Sequence, residues 1–415
     1  MKYLNINNLL QWPWALVFVY GMICAACTEI EGIKGPKIDD QTIPGQVSGV
    51  EVENTNGAAV IRYQLPNSPN LLYVLAEYEI RAGVKRETKA SYYKNELMVE
   101  GFEGSKDYEV KLTVVSKSEI KSEPVYTTVH PDIPSYQTVK PTIQISPDFG
   151  GFHISAYNEF EKPIGMVLYR NEKNVSGEYP VISQYFTDSD SISYSVRGYD
   201  SIPHNLGMYI TDQFGNVSDT LFYTVKPYFE QLLDKQDFFV YPLESDSEIG
   251  YGWSLPYLWD TKTDVYSTGW HTNPGGDIPM ICTFGIGQLA QLSRFEIWAR
   301  PGEFTYGHGN PKEFSLWGAN VDNPGDAELP VYAPVGTEIG DWTNLSNYHF
   351  PDPPSGFPPG AVTEEDEAFI AQGVNFNIPV DAPPAKFLRI AVSETWSGGD
   401  FAHIMEVSVF GNPLD

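Results

Sequence analysis

Residues 108–131 read "YEVKLTVVSKSEIKSEPVYTTVHP", and residues 204–227 read "HNLGMYITDQFGNVSDTLFYTVKP". The two stretches align without a gap at an offset of 96 residues. Apolar residues alternate in both stretches and coincide, as Leu112 does with Met208, and both stretches end in Val-x-Pro. A repeat about as long as one small domain predicts two tandem β-sandwiches that close with the same hairpin.

The rest of each repeat is also built from short strand patterns. Residues 44–131 begin with "PGQVSGVEVEN" and continue as alternating apolar and polar runs bounded by Gly, Pro and Asn, and residues 132–228 repeat this more loosely. The first unit resembles a fibronectin type III domain, with Tyr108 in the place of that family's corner tyrosine. The resemblance implies spacer or docking modules, and neither unit shows a catalytic constellation.

Residues 229–415 have a different sequence pattern from the two repeats. The stretch "YFEQLLDKQDFF" at residues 228–239, where this part begins, fits either a short helix or a connector, and a longer series of strand patterns follows. This series resembles the discoidin, or coagulation-factor C-type, domain, and the resemblance implies a galactose-binding-like jelly roll. The matching segments are Trp259–Asp260, Phe284–Gly287, Arg294–Arg300, Leu316–Asn320, Phe387–Ile390 and Glu406–Gly411. The predicted fold class is therefore all-β, with two immunoglobulin-like or fibronectin III-like sandwiches before a discoidin-like jelly roll.

An insertion at residues 350–373 departs from the discoidin pattern. Its first half is rich in proline and should be extended, since proline fixes φ and cannot donate a hydrogen bond. Thr363 is a good N-cap, Glu364, Glu365 and Asp366 form an acidic first turn, and Gly373 is a good stop. The insertion therefore predicts one short helix after Thr363.

The N-terminal 43 residues are expected to contain an export signal followed by a membrane tether. The apolar run Trp14–Ala26 has the length of a signal-peptide core and is too short for a comfortable membrane span. "CAAC" resembles a bacterial lipobox, which implies that residues 1–26 are removed and that Cys27 is lipidated. An ordinary signal peptide cut nearby is the alternative. Residues 27–43 predict a flexible tether. A lipid-anchored protein of the outer membrane, exposed at the cell surface, is the expectation.

The charge distribution limits the class of ligand. The formal net charge is −28, and residues 229–415 hold 27 acidic against 7 basic residues, a net of −20. Such a surface repels nucleic acids and anionic lipids, which need a Lys/Arg footprint. It suits a neutral ligand or a divalent cation, although acidity also keeps a secreted protein soluble. Cys282 lies in an apolar run and is predicted to be a buried free thiol.

The whole arrangement also resembles a group of surface lipoproteins encoded beside glycan-uptake systems in gut bacteria. That resemblance implies glycan handling at the cell surface. Catalysis is not predicted, because the sequence contains no nucleophile elbow, no Ser/His/Asp order and no HExxH motif. Acidic residues are plentiful, so a glycosidase pair of carboxylates is not excluded by their number.

Aromatic and histidine residues in the predicted jelly-roll loops are candidates for sugar binding. A pyranose needs an exposed aromatic plane flanked by directional polar groups on loops of a rigid scaffold. The alternative for each residue is packing in the core or against an adjoining domain. Trp298 should lie on the polar face of its strand, opposite Phe295 and Ile297. The candidates are Trp270, His271, Trp298, Tyr306, His308, Trp396 and His403.

The discoidin resemblance also implies one structural Ca²⁺. The matching residues are Asp260 in the first long loop and Glu406 near the C-terminus, with Asp264 and Thr268 as further oxygen donors. The alternative is that Asp260 caps a turn after Trp259.

We therefore expect a non-catalytic, lipid-anchored surface protein whose jelly roll binds a neutral glycan during polysaccharide acquisition. The alternative is a structural partner that docks through its sandwiches onto an outer-membrane transporter or a glycan-degrading enzyme and binds no sugar itself.

Overall fold

The computed structural model of the chain describes residues 40–414. The predicted signal peptide, the predicted lipidation site Cys27 and most of the predicted tether lie outside these residues. The chain divides into two compact units, Met1–Pro134 and Ser135–Asp415, and each is described by itself.

The first unit is a β-sandwich of two antiparallel sheets. Its described strands are β1 Ser48–Thr55, β2 Ala58–Gln64, β3 Leu71–Arg81, β4 Val84–Ser91, β5 Glu96–Glu100, β6 Tyr108–Ser116 and β7 Val125–Val129. The strand orders are β1-β2-β5 and β4-β3-β6-β7. Tyr108 is buried, and its hydroxyl lies 3.1 Å from both the carbonyl oxygen and the amide nitrogen of Gly104. This bond from a strand to the loop before it is that of a tyrosine corner.

The second unit begins with a matching sandwich. A four-residue helix α1, Ser135–Thr138, precedes β8 Gln144–Asp148, β9 Gly151–Tyr157, β10 Ile164–Arg170, β11 Val181–Thr187, β12 Ser191–Arg197, β13 His204–Asp212 and β14 Leu221–Val225. The strand orders are β12-β9-β8 and β11-β10-β13-β14.

The repeat seen in the sequence has the same contacts in both sandwiches. The Ser122 hydroxyl accepts a hydrogen bond from the Val114 amide at 3.0 Å. At the matching positions, the Ser218 hydroxyl accepts one from the Ile210 amide, also at 3.0 Å. The prediction of two tandem fibronectin III-like sandwiches is confirmed.

The rest of the second unit is a jelly roll. Its described strands are β15 Gln231–Leu232, β16 Phe239–Val240, β17 Trp270–His271, β18 Met280–Trp298, β19 Pro311–Ala319, β20 Glu338–Ile339, β21 Trp342–His349, β22 Val374–Asn377, β23 Ala385–Thr395, β24 His403–Ile404 and β25 Glu406–Pro413. The "YFEQLLDKQDFF" segment contains β15 and a short 3-10 turn, Lys235–Asp237, rather than an α-helix.

One long strand, β18, runs through the main sheet of the jelly roll, whose strand order is β15-β25-β18-β23-β19-β21-β20. The first part of β18, Met280–Gly285, pairs with β23, and the second part, Ala290–Trp298, pairs with β25. The strand changes partners at Gly287, whose φ of +77° is readily adopted only by glycine. Cys282 is buried in the apolar core of the jelly roll as a free thiol, as predicted.

The insertion contains the predicted helix. Helix α2 spans Glu364–Ala371, and the Thr363 side chain accepts from the Asp366 amide while the Asp366 carboxylate accepts from the Thr363 amide. This is a capping box, which satisfies two backbone donors at the start of the helix. Gly373 follows with a φ of +83° and ends the helix.

Candidate functional site

A pocket opens among the loops at one end of the jelly roll. Its volume is about 440 Å³. Three stretches that are far apart in sequence form it: residues 251–253, the connection from β18 to β19, and the residues before β24, with His271 on β17 between them. The lining side chains are Tyr251, Trp253, His271, Arg300, Phe304, His308 and Phe401.

Aromatic rings form the walls. The His271 imidazole stacks on Phe401, with centroids 5.6 Å apart and planes within 5° of parallel. Tyr251 and Trp253 meet the same imidazole edge-on, at centroid distances of 4.8 and 5.1 Å. Tyr251 is 68% exposed, so most of its side chain faces solvent at the pocket mouth. The pocket therefore offers apolar ring surface to a ligand.

Arg300 provides the cation of the pocket. Its guanidinium carbon lies 3.8 Å from the centroid of the Phe304 ring and 5.3 Å from that of Trp253. The Arg300 amide donates to the Asn310 side chain at 2.7 Å, which fixes the backbone, while its buried Nε atom has no hydrogen-bond partner within residues 40–414. No acidic side chain lines the pocket. Burial lowers the pKa of Arg300, but arginine stays protonated in proteins, so its donors are available to a ligand.

The histidines are held in defined tautomers. The Nδ1 atom of His271 lies 2.8 Å from the Thr272 carbonyl oxygen, to which only a protonated nitrogen can donate. The His403 Nε2 atom accepts from the Gly309 amide at 3.1 Å and lies 3.0 Å from His308 Nδ1, which is therefore the donor. Burial is the main cause that lowers the pKa of all three histidines. Neutral imidazoles leave Nε2 of His271 and of His308 as acceptors.

Two of the predicted sugar-binding aromatics are in the core, which corrects their assignment. Trp270 is 0% exposed, because β17 pairs with β24 and directs this ring inward. Tyr306 is 1% exposed and packs edge-on against Phe350 and Trp396. Neither ring can offer a face to a sugar.

The other three aromatic candidates lie outside the pocket lining. His403 is fully buried and contacts His308, which lines the pocket. The prediction that His403 itself contacts a sugar is therefore wrong. Trp298 is half-buried on the opposite side of β18 from Phe295, as predicted, with the Lys235 ammonium 5.8 Å from its ring centroid. Trp396 is half-buried beside Tyr306. Only His271 and His308 of the seven candidates line the pocket.

The predicted calcium ligands are engaged with other partners. The buried Glu406 carboxylate forms an ion pair with Lys235 and accepts a hydrogen bond from the Thr261 amide. Asp260 pairs with Lys262 at 2.9 Å. In residues 40–414, no group of three or more His, Cys, Asp or Glu side chains could hold a metal ion.

These contacts fit a cation poorly, because ammonium groups and an amide already occupy the carboxylates. Asp264 is also engaged, since it accepts from the Ser267 hydroxyl at 2.6 Å and from the Tyr266 amide. Thr268 is half-buried in the same loop. Calcium binding therefore stays a prediction of the discoidin resemblance alone, and these contacts do not favour it.

Five lining residues were not among the sequence candidates: Tyr251, Trp253, Arg300, Phe304 and Phe401. The signal for the first two was "YGW", where glycine separates two aromatic residues ahead of a proline. Arg300 ends a recognisable strand, but nothing in the sequence shows that it turns onto Phe304.

Three family models match consecutive parts of the chain. Each is described as a domain of unknown function: DUF4959 over residues 44–131, DUF5126 over residues 132–236 and DUF5000 over residues 259–411. Among curated proteins, none matches the chain.

Several solved structures are similar to this chain. A SusE-like protein has 26% identity and a TM-score of 0.41, covering 68% of this chain and 100% of its own. A family 32 CBM from C. perfringens NanJ, solved in complex with galactose, has 14% identity and a TM-score of 0.29, covering 44% and 98%. A segment of two fibronectin type III domains from chicken tenascin has 13% identity and a TM-score of 0.21, covering 44% and 99%. The chain thus has SusE-like, carbohydrate-binding-module and fibronectin III neighbours.

Within residues 40–414, no helix is both long and apolar enough to cross a membrane.

Proposed function

We propose that the chain is a non-catalytic surface protein whose jelly-roll pocket binds a neutral sugar unit of a glycan. The observation that carries the proposal is Arg300, which lies on Phe304 in a pocket whose lining has no acidic side chain. The Arg300 Nε atom has no hydrogen-bond partner within residues 40–414. A buried polar group without a partner costs free energy, which a ligand would recover by accepting its hydrogen bonds.

The pocket chemistry suits a pyranose. Ring faces of Tyr251 and Trp253 can contact the apolar C–H surface of a sugar, while Arg300 donates to hydroxyl oxygens. The Nε2 atoms of the neutral histidines can accept from hydroxyl groups. The strongly acidic jelly roll disfavours approach of a polyanion, which supports a neutral ligand.

The proposal assigns no catalysis to this pocket. Glycoside hydrolysis commonly uses two carboxyl groups on either side of the scissile bond, and the lining contains none. The bound sugar would therefore be held and released unchanged.

The localisation is also proposed rather than observed. Lipidation at Cys27 would anchor the chain in the outer membrane, because two or more acyl chains give stable attachment. A Cys27→Ser variant should be recovered from the soluble fraction of cells. Retention of that variant in the membrane fraction would contradict the anchor.

A glycan array probed with the full chain tests the binding proposal. Neutral glycans should bind, and an Arg300→Ala variant should lose those signals. An array on which no neutral glycan binds, or on which the variant binds as the wild type does, would contradict it.

A further inference from the structure

The outer face of one sheet differs sharply between the two sandwiches. Sheet β4-β3-β6-β7 of the first corresponds to sheet β11-β10-β13-β14 of the second, and the 96-residue offset places Lys111 on Gly207. Glu77 lies opposite Lys111 in the first sheet, and Tyr169 lies opposite Gly207 in the second. The two faces can thus be compared position by position.

In the first sandwich this face is charged. Glu77 and Lys111 form an ion pair at 2.9 Å. Their neighbours on the same face include Lys85, Glu87, Lys89 and Glu109. Such alternation of charge is that of an ordinary solvated surface.

In the second sandwich the outward positions of the four strands carry no charged residue. Phe186 is 68% exposed and Phe222 is 64% exposed. Tyr169 and Tyr209 lie between them, half-buried, with ring centroids 6.2 Å apart. Because the first sandwich has the same architecture and a charged face, the aromatic face is not required by the fold. Exposed apolar surface of this kind marks an interaction site.

Two glycines allow the rings to lie against the sheet. A Cβ atom at Gly165 would come within 2.6 Å of Phe186 Cε1, and one at Gly207 would come within 2.2 Å of Tyr169 Cζ. Each ring therefore rests on the backbone of the neighbouring strand. Glycine inside a strand costs stability, and these two glycines make room for the rings over the backbone. Phe186 stays largely exposed there, whereas Tyr169 is flanked by Tyr179 and Tyr209.

We propose that this outer face, which we call the aromatic face, is a second binding surface for an extended neutral glycan chain. It goes beyond the pocket, since it lies in another domain and uses different residues. Phe186 lies opposite Gly165 of β10, and Tyr169 is four residues further along that strand. At 3.3 Å per residue, the two positions are about 13 Å apart along the strand. Rings spaced in this way can contact several sugar units, whereas the pocket holds one end.

Charge and shape favour a neutral glycan over a protein. In a chain of net charge −28, an uncharged face matches an uncharged ligand. The amide of Gln184 borders the rings on the same face and can hydrogen-bond to sugar hydroxyls. The nearby Asn205 amide is already held by Glu172 and Thr224. Protein interfaces instead tend to insert aromatic anchors into pockets, and these rings lie flat.

Affinity gel electrophoresis of the full chain tests the proposal with amylopectin, galactan, xylan and laminarin as immobilised neutral polysaccharides. Arg300→Ala should abolish binding by the pocket, and the part of the polysaccharide retention that is due to the aromatic face should remain. Adding Phe186→Ala and Tyr169→Ala to that variant should remove the remainder, at least tenfold in apparent affinity. The matched control is Tyr126→Ala, at the first-sandwich position that aligns with Phe222, and it should change nothing.

Conservative variants separate ring stacking from general apolar contact. Phe186→Tyr should keep retention, and Phe186→Leu should lose it, while both should melt as the wild type does. The proposal is overturned if no polysaccharide of the panel is retained by the aromatic face, if Arg300→Ala alone removes all retention, or if Leu serves as well as Phe. It is also overturned if sedimentation shows self-association that Phe186→Ala abolishes, since the occupant would then be a second copy.

Discussion

The Arg300 guanidinium carbon lies 3.8 Å from the centre of the Phe304 ring, and these two residues are only four positions apart in the loop after β18. The ring holds the cation by a cation–π contact and leaves its edge donors uncommitted. A salt bridge would have satisfied the same cation and closed it to ligands. This pair therefore makes the pocket a site for a hydrogen-bond acceptor.

Tyr251→Ala should weaken glycan binding without affecting stability. The side chain is 68% exposed and lines the pocket, so its removal takes away ring contact and opens no cavity. The loss of one exposed stacking contact, at about 0.5–1.5 kcal/mol, lowers affinity several-fold, as titration calorimetry can measure. Tyr266→Ala is the matched control, since Tyr266 is 94% exposed and outside the lining. An equal loss in both variants would count against the pocket.

Trp270→Ala should unfold the jelly roll rather than affect binding selectively. Trp270 is fully buried in the core of the jelly roll, and replacing a buried tryptophan by alanine costs about 3–5 kcal/mol. Denaturant unfolding should show this loss, whereas Trp270→Phe should lose less. A Trp270→Ala protein of wild-type stability that no longer binds glycan would restore this residue to the site.

Acid should weaken both the jelly roll and its pocket. Burial lowers the folded-state pKa of His271, His308 and His403, so the unfolded chain binds more protons than the folded one below the ordinary histidine pKa of about 6.5. Stability should therefore be complete above that pH and fall as the pH drops through and below it.

Melting curves between pH 5 and 8 test this expectation, with His308→Gln less sensitive than the wild type. The control is His349→Gln. Hydrogen bonding to Glu313 raises the pKa of His349, so this histidine does not contribute to the loss of stability in acid. Stability that is flat across this range would contradict the neutral histidine cluster.

Glu230 should be important for the joint between the second sandwich and the jelly roll. Its carboxylate lies 3.0 Å from Arg197 of the sandwich and 3.3 Å from Arg294 of the jelly roll, and the Ser293 hydroxyl donates to it at 2.6 Å. Removing one partner of a largely buried ion pair costs about 3–5 kcal/mol. Glu230→Gln should therefore lower the free energy of unfolding in denaturant.

The control for Glu230 is Glu394→Gln, which breaks a partly exposed pair with Lys312. Exposed pairs contribute about 0–1 kcal/mol, so this variant should unfold nearly as the wild type does. Equal effects of the two variants would show that Glu230 has no special part in the joint.

Calcium should leave the melting temperature unchanged, because Lys235 already neutralises Glu406. An ion present at 100 times its dissociation constant would add about 2.7 kcal/mol. Comparing melting in CaCl₂ and in EDTA distinguishes the two results. A clear rise with calcium would support the ligand set predicted from the discoidin resemblance and would require Lys235 to move.

The sequence was sufficient for the architecture because its signals are local. Alternating strands, the 96-residue repeat, the corner tyrosine and the Thr363 cap each depend on residues close together in the chain. Tyr108, for example, bonds to Gly104 only four residues away. Such features follow from strand period and capping preference.

The pocket was only partly predictable because its parts meet through long-range folding. Trp270 and His271 are neighbours on a two-residue strand, and period-2 alternation sends one to the core and the other to the pocket. Which one goes inward is decided by β24, about 130 residues later. Tyr306 and His308 both have positive φ, 48° and 53°, which is uncommon for such side chains and has no signature in the sequence.

The most direct test of the account is a calorimetric titration of the full chain with a neutral oligosaccharide that binds on the array. Arg300→Gln should reduce affinity by at least tenfold, because charge-assisted hydrogen bonds contribute about 1.5–3 kcal/mol. Lys386→Gln, which removes a surface cation paired with Asp322, should leave affinity unchanged. Equal affinity of wild type and Arg300→Gln would contradict the claim that this pocket binds the glycan.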